Sequence, residues 1–139
     1  MSDPSIFLKP FVEPWYKALA DPAGAQAEVL RSLTQTYGRT EYGVRCGAER
    51  VAAYEEFQKS FPIVSYSGLQ AYLEEVKRGN YSTILSEPVV RWVMTRGTTG
   101  KPKMIPVTQT HLTQILKIGS RGLLNFALRR MDFDVLRGG

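Results

Sequence analysis

Two short strand-like runs flank a nine-residue glycine loop, and this unit constrains the chain more than any other stretch. Val89-Val90-Arg91-Trp92-Val93-Met94 is β-branched and enters the loop; Met104-Ile105-Pro106-Val107 leaves it. Between them lies Thr95-Arg96-Gly97-Thr98-Thr99-Gly100-Lys101-Pro102-Lys103. Glycines that let backbone N–H groups approach closely, hydroxyl donors and a lysine past the turn together suit phosphate oxygens, which take many short donors plus a cation. The expectation is a phosphate-gripping turn between two strands; the plainer alternative is a hairpin connection with no ligand, since Gly/Thr turns are common.

Two better-known phosphate motifs are excluded. A P-loop needs four residues between its first glycine and the Gly-Lys pair, then Ser or Thr. Here two residues separate Gly97 from Gly100, and Pro102 follows Lys101. No G-x-G-x-x-G opens a helix after a strand, so a dinucleotide fold has no support.

The loop resembles the phosphate-binding signature of the acyl-adenylate-forming superfamily, the firefly-luciferase and acyl-CoA-ligase group. Thr95, Gly97, Thr98, Thr99, Gly100, Pro102 and Lys103 match its pattern. Arg96 departs from it, standing where a small residue is usual; its long side chain either adds a cation beside the phosphates or marks a decayed site. Upstream, Thr36-Tyr37-Gly38, Thr40-Glu41-Tyr42-Gly43, Phe57, Phe61-Pro62-Ile63-Val64-Ser65-Tyr66, Leu69, Tyr72-Leu73, Ile84-Leu85-Ser86 and Pro88 precede the loop. That order is similar to the auxin-responsive acyl-acid amido synthetases and their bacterial relatives, over roughly residues 25–115. The phenylacetate-CoA ligase branch carries a similar loop, but Ile105-Pro106 and Thr108 after Lys103 look more like the amido synthetases.

The resemblance implies an ATP-dependent ligase that adenylates a carboxylic acid and passes the acyl group to an amine; in the ligase branch the acceptor is coenzyme A. It implies nucleotide contacts from Thr95, Gly97, Thr98, Thr99, Gly100 and Lys103, with Mg2+ reached through the phosphates and its protein ligand outside this chain. No catalytic residue is assigned. The resembling enzymes are several times longer than 139 residues, so the chain reads as the N-terminal part of a larger adenylate-forming domain, truncated at its C-terminus. Residues 1–139 alone are then expected not to turn over. A truncated, non-catalytic nucleotide-binding or interaction remnant is the alternative.

Other classes are disfavoured. Residues 1–88 hold nine Lys/Arg against eleven Asp/Glu, and residues 89–139 nine against two. No run of five like charges occurs and the aromatics are scattered, so no nucleic-acid surface is expected. One cysteine, Cys46, and one histidine, His111, exclude a disulfide framework and make a zinc site unexpected. No signal-peptide pattern and no 18-residue apolar run is visible, so neither secretion nor a membrane span is expected, and the expected compartment is the cytosol.

The expected fold is α+β: a helical N-terminal half, the strand–loop–strand unit and a long helix behind it, in a chain 43% apolar and 22% charged. Residues 1–22 read as an extended lead-in with three early prolines, and 23–139 as the domain part; a short helix could begin at Pro14 and end before Asp21-Pro22. Ala27, Leu30, Leu33 and Tyr37 predict an amphipathic helix over about 23–37, stopped by Gly38. A second helix is expected over 51–59. A third is expected over 67–78, with capping-box spacing at Ser67-Gly68-Leu69-Gln70 and a stop at Gly79-Asn80. Thr108 or Thr110 is placed to cap the long helix to about Arg130, with Leu112, Ile115, Leu116, Leu123, Phe126 and Ala127 as its buried stripe.

Overall fold

A computed structural model describes residues 3–96 and 101–137. The chain divides into two compact units, residues 26–109 and the pair of segments 1–25 and 110–139. The α+β expectation holds: among the described residues six α-helices accompany one antiparallel strand pair.

In the unit formed by the two terminal segments, α1 runs over Pro4–Ala20 and α6 over Gln109–Arg130, the latter beginning at the very end of the other unit. The first helix corrects the expected extended lead-in. Its prolines are compatible with a helix for local reasons. Pro4 occupies the first turn, where an N–H has no helical partner anyway, and the Asp3 carboxylate caps that turn by accepting from the Ser5 N–H at 2.9 Å. Pro10 and Pro14 each remove one interior bond, but both face solvent. Tyr16 donates its hydroxyl hydrogen bond to the Asn125 side-chain oxygen on α6.

The expected buried stripe of α6 is also corrected. Ala127 is fully buried, yet Leu116 is 72% exposed and Ile115, Leu123 and Phe126 are open to solvent, with Leu112 half-buried. Periodicity identifies the apolar face of a helix but not whether anything lies over it. At 22 residues the helix is about 33 Å long, and the described part of its unit supplies one other whole α-helix, α1.

In residues 26–109 the chain forms most of α2 (Pro22–Tyr37), then α3 (Glu41–Arg45), α4 (Tyr54–Ser60), α5 (Gln70–Lys77), β1 (Val89–Met94) and β2 (Met104–Thr108). Helix α2 stops at Gly38 as expected. Thr40 then restarts the chain as α3. Its hydroxyl donates to the Tyr37 carbonyl at 2.7 Å and accepts from the Gly43 N–H at 3.0 Å, joining the end of one helix to the start of the next. Helix α4 begins three residues later than expected, where the Glu56 carboxylate accepts from the Ala52 and Ala53 N–H groups at 2.6 and 3.1 Å.

Helix α5 carries the centre of this unit. Leu73 and Val76 are buried, along with Ala48, Thr83 and Val107. Beside it Tyr42 meets Tyr72 edge-on at 5.4 Å and Phe57 stacks on Phe61 at 4.9 Å. The Arg45 guanidinium lies 5.5 and 5.2 Å from the Tyr42 and Tyr72 rings. Burial pushes the Tyr42 hydroxyl pKa upward, with the Cys46 side chain adding to the shift and Arg45 opposing it.

Candidate functional site

The strand pair places the two ends of the loop. β1 and β2 are antiparallel, with Met94 opposite Met104, Val93 opposite Ile105 and Trp92 opposite Pro106, and an irregularity between Val89 and Arg91. One step beyond the last pair, the Thr95 N–H donates to the Lys103 carbonyl at 2.9 Å. The Lys103 N–H returns a bond to the Thr95 hydroxyl at 3.1 Å. Thr95 and Lys103 thus close the loop on itself. The Thr95 hydroxyl retains its own hydrogen to donate elsewhere, because it serves Lys103 only as an acceptor.

Of the residues expected to contact nucleotide, Thr95 and Lys103 are therefore brought together, both exposed at the mouth of the hairpin. Gly97, Thr98, Thr99 and Gly100 lie outside the described residues. Arg96 and Lys101, the neighbours of that stretch, are solvent-facing. Cys46 is a half-buried free thiol beside Tyr42, and His111 sits in the first turn of α6.

A second segment reaches the site from far upstream. Tyr66 stands at the turn before α5, 38 residues ahead of Met104. Its hydroxyl donates to the Met104 carbonyl at 3.1 Å and accepts from the Met104 N–H at 3.0 Å. One hydroxyl thereby satisfies both outward-facing backbone groups of a residue on the edge of β2, and an edge strand otherwise leaves these unpaired. The face of the same ring carries the Lys103 ammonium, 5.6 Å from its centroid.

The turn itself is held by Ser65. Its hydroxyl lies 2.8 Å from that of Ser67 and accepts from the Gly68 N–H at 3.2 Å. The capping role expected of Ser67 thus falls to Ser65, two residues earlier, because residues 67–69 form a 3-10 turn before the α-helix begins. Tyr66 is the residue that sequence reasoning passed over; it was visible only as part of the Phe61–Tyr66 pattern, and no local spacing connects it to the loop.

Between this turn and the loop lies an open cleft of about 520 Å³, lined among others by Ser65, Ser67, Gln70, Lys77, Lys101 and Lys103. Its polar groups are hydroxyls, an amide and ammoniums, with one carboxylate, Glu74, that pairs with Lys77 at 2.7 Å. That balance favours an anion over a cation. Among the described residues no group of three His, Cys, Asp or Glu side chains could hold a metal ion, and no helix is long and apolar enough to cross a membrane.

Several known proteins are similar to this chain in sequence. A jasmonoyl–L-amino acid synthetase of Nicotiana attenuata is 29% identical over 88% of the chain and 21% of its own length. A second from the same plant is 27% identical over 91% of the chain and 22% of its own. An indole-3-acetic acid-amido synthetase of Oryza sativa subsp. indica is 33% identical over 63% of the chain and 15% of its own length. The chain thus spans about a fifth of these curated relatives. No solved structure matches it. The family model described as "GH3 family N-terminal domain" matches residues 13–137, and on that match, nearly the whole length of the chain, the protein belongs to the GH3 family.

Proposed function

We propose that this chain is the N-terminal, phosphate-loop-bearing part of an ATP-dependent acyl-acid amido synthetase. The observation that carries the reading is the mutual pairing of Thr95 and Lys103, which closes a Gly/Thr loop at the end of a hairpin and leaves a hydroxyl and an ammonium at its mouth. The names of the relatives, amido synthetases of jasmonic and indole-3-acetic acids, support the same class.

In the proposed reaction a substrate carboxylate oxygen attacks the α-phosphorus of ATP, and the bond to the bridging oxygen breaks to release pyrophosphate. An amine nitrogen then attacks the acyl carbon, the amide forms, AMP leaves with the bonding pair and the amine loses a proton. The loop's task falls in the first step. Backbone N–H groups near Gly97 and Gly100, the Thr98 and Thr99 hydroxyls and the Lys103 ammonium hold the β- and γ-phosphates and meet the charge that grows on the leaving group. Where charge develops in a transition state, preorganised donors of this kind usually supply more of the rate acceleration than any other effect. Magnesium would arrive with the phosphates, in keeping with a cleft whose lining favours anions.

The test is chemical. The natural full-length protein carrying this sequence is incubated with ATP, Mg2+, a panel of plant-hormone-like and aromatic acids and the amino acids. Mass spectrometry should find AMP and an acid–amino acid amide that both depend on the acid. ATP consumed without amide, or a thioester formed only when coenzyme A is supplied, contradicts the amido synthetase reading.

A further inference from the structure

We propose that Tyr66 is a positioning residue for the phosphate loop: its hydroxyl fixes the backbone at Met104 and its ring face seats the Lys103 ammonium. The inference rests on the adenylation reading above and deepens it, because it names what holds the loop's cation when no phosphate is present.

Lys103 leaves the strand end on a flexible four-carbon stem with much rotamer freedom to lose. Left in water, that side chain spends little time aimed at the loop. The Tyr66 ring, 5.6 Å from the ammonium, restricts it. A cation over an exposed aromatic face is held more weakly than one hydrogen-bonded to a charged group. The ring is therefore strong enough to bias the free lysine and too weak to hold it against a phosphate.

The hydroxyl acts on the same residue through the backbone. Met104 directly follows Lys103, and both of its outward backbone groups end on the Tyr66 oxygen. Sliding or peeling of the β2 edge at that point breaks two bonds at once. Tyr66 is itself half-buried, in a turn fixed by Ser65, Ser67 and the bond from the Leu69 N–H to its own carbonyl at 3.1 Å. A rigid turn upstream thus sets the place of a mobile cation downstream.

The experiment measures acid-dependent ATP–pyrophosphate exchange by the natural full-length protein, comparing wild type with Tyr66→Phe, Tyr66→Leu, Lys103→Ala and the Tyr66→Leu/Lys103→Ala pair. Thermal unfolding of each variant checks its fold. Tyr66→Phe keeps the ring and loses the hydroxyl with both of its bonds to Met104; it should raise KM for ATP about 3- to 10-fold, a part of what those two bonds are worth, with KM for the acid unchanged. Tyr66→Leu should raise it further. In the Lys103→Ala background, Tyr66→Leu should add less than about twofold beyond the Tyr66→Phe effect, because the lysine it seats is gone.

Equal losses toward ATP and acid, with the same Tyr66→Leu factor in both backgrounds, would mean a purely structural tyrosine and overturn the assignment. Both tyrosine variants matching wild type in KM for ATP would overturn it too, leaving adenylation standing. No exchange by wild type overturns the adenylation reading and the Tyr66 assignment with it.

Discussion

Thr95 and Lys103 are joined by two bonds running in opposite directions: the Thr95 N–H to the Lys103 carbonyl at 2.9 Å, and the Lys103 N–H to the Thr95 hydroxyl at 3.1 Å. The first continues the strand pairing, and the second is supplied by a side chain. Replacing the hydroxyl should therefore loosen one residue and spare the other. In Thr95→Val, amide exchange at Lys103 should accelerate about 3- to 10-fold, the worth of one net hydrogen bond. Exchange at Thr95 should hold within about twofold, and Thr95→Ser should match wild type. Equal acceleration at both amides would mean that the hydroxyl does not act locally.

Two helix ends solve the same problem with different residues. Helix α5 ends on Gly79 at φ +99°, with the Asn80 N–H reaching back to the Glu75 carbonyl at 3.0 Å. Helix α6 ends on Met131 at φ +52°, with the Asp132 N–H reaching the Ala127 carbonyl at 3.2 Å. Left-handed backbone costs a side chain about 1–2 kcal/mol. Nothing lies within 4 Å of a Cβ built on Gly79, so Gly79→Ala should destabilise by about that amount through the backbone alone. Met131 is exposed, so Met131→Gly should stabilise by up to about 1 kcal/mol, reduced by the freedom glycine adds to the unfolded chain. Urea unfolding of the two variants should move in opposite directions.

Glu56 gives the start of α4 a pH dependence. The N–H groups of Ala52 and Ala53 bond its carboxylate and hold its pKa below the usual glutamate value. A depressed acid pKa stabilises the folded state above the unfolded-state pKa, and that contribution fades as pH falls through the folded pKa. The stability difference between wild type and Glu56→Gln should thus be largest near neutral pH and shrink below the ordinary carboxylate range. A difference that stays constant from neutral pH to well below that range would show that charge at Glu56 plays no part.

The parts of this fold that could be read in advance are those fixed by local chemistry. Val89–Met94 and the run from Met104 carry enough β-branched residues to declare strands, and Gly38 and Gly79 stop helices where they stand. The long helix after Thr108 was likewise legible from its spacing. The failures concern context. Three prolines read as an extended arm, because nothing local announces that Pro4 would fall in a capped first turn and that Pro10 and Pro14 would face solvent. The stripe on α6 read as buried, because periodicity is blind to what covers a face. At the candidate site, the strand ends that bring Thr95 and Lys103 together were legible in the sequence, but Tyr66, which meets Lys103 and Met104, was not. A contact over 38 residues leaves no period in the sequence.

The central claim, that this loop grips the phosphates of ATP through Lys103, is tested most directly by comparing Lys103→Ala with Lys101→Ala in acid-dependent ATP–pyrophosphate exchange by the natural full-length protein. Both lysines are exposed and line the same cleft, but only Lys103 is paired with Thr95 and seated on Tyr66. Losing a charged hydrogen bond worth about 1.5–3 kcal/mol should cut kcat/KM for ATP by about 10- to 100-fold in Lys103→Ala, with Lys101→Ala within about threefold of wild type. Equal rates for the two variants, or a larger loss at Lys101, would contradict the account.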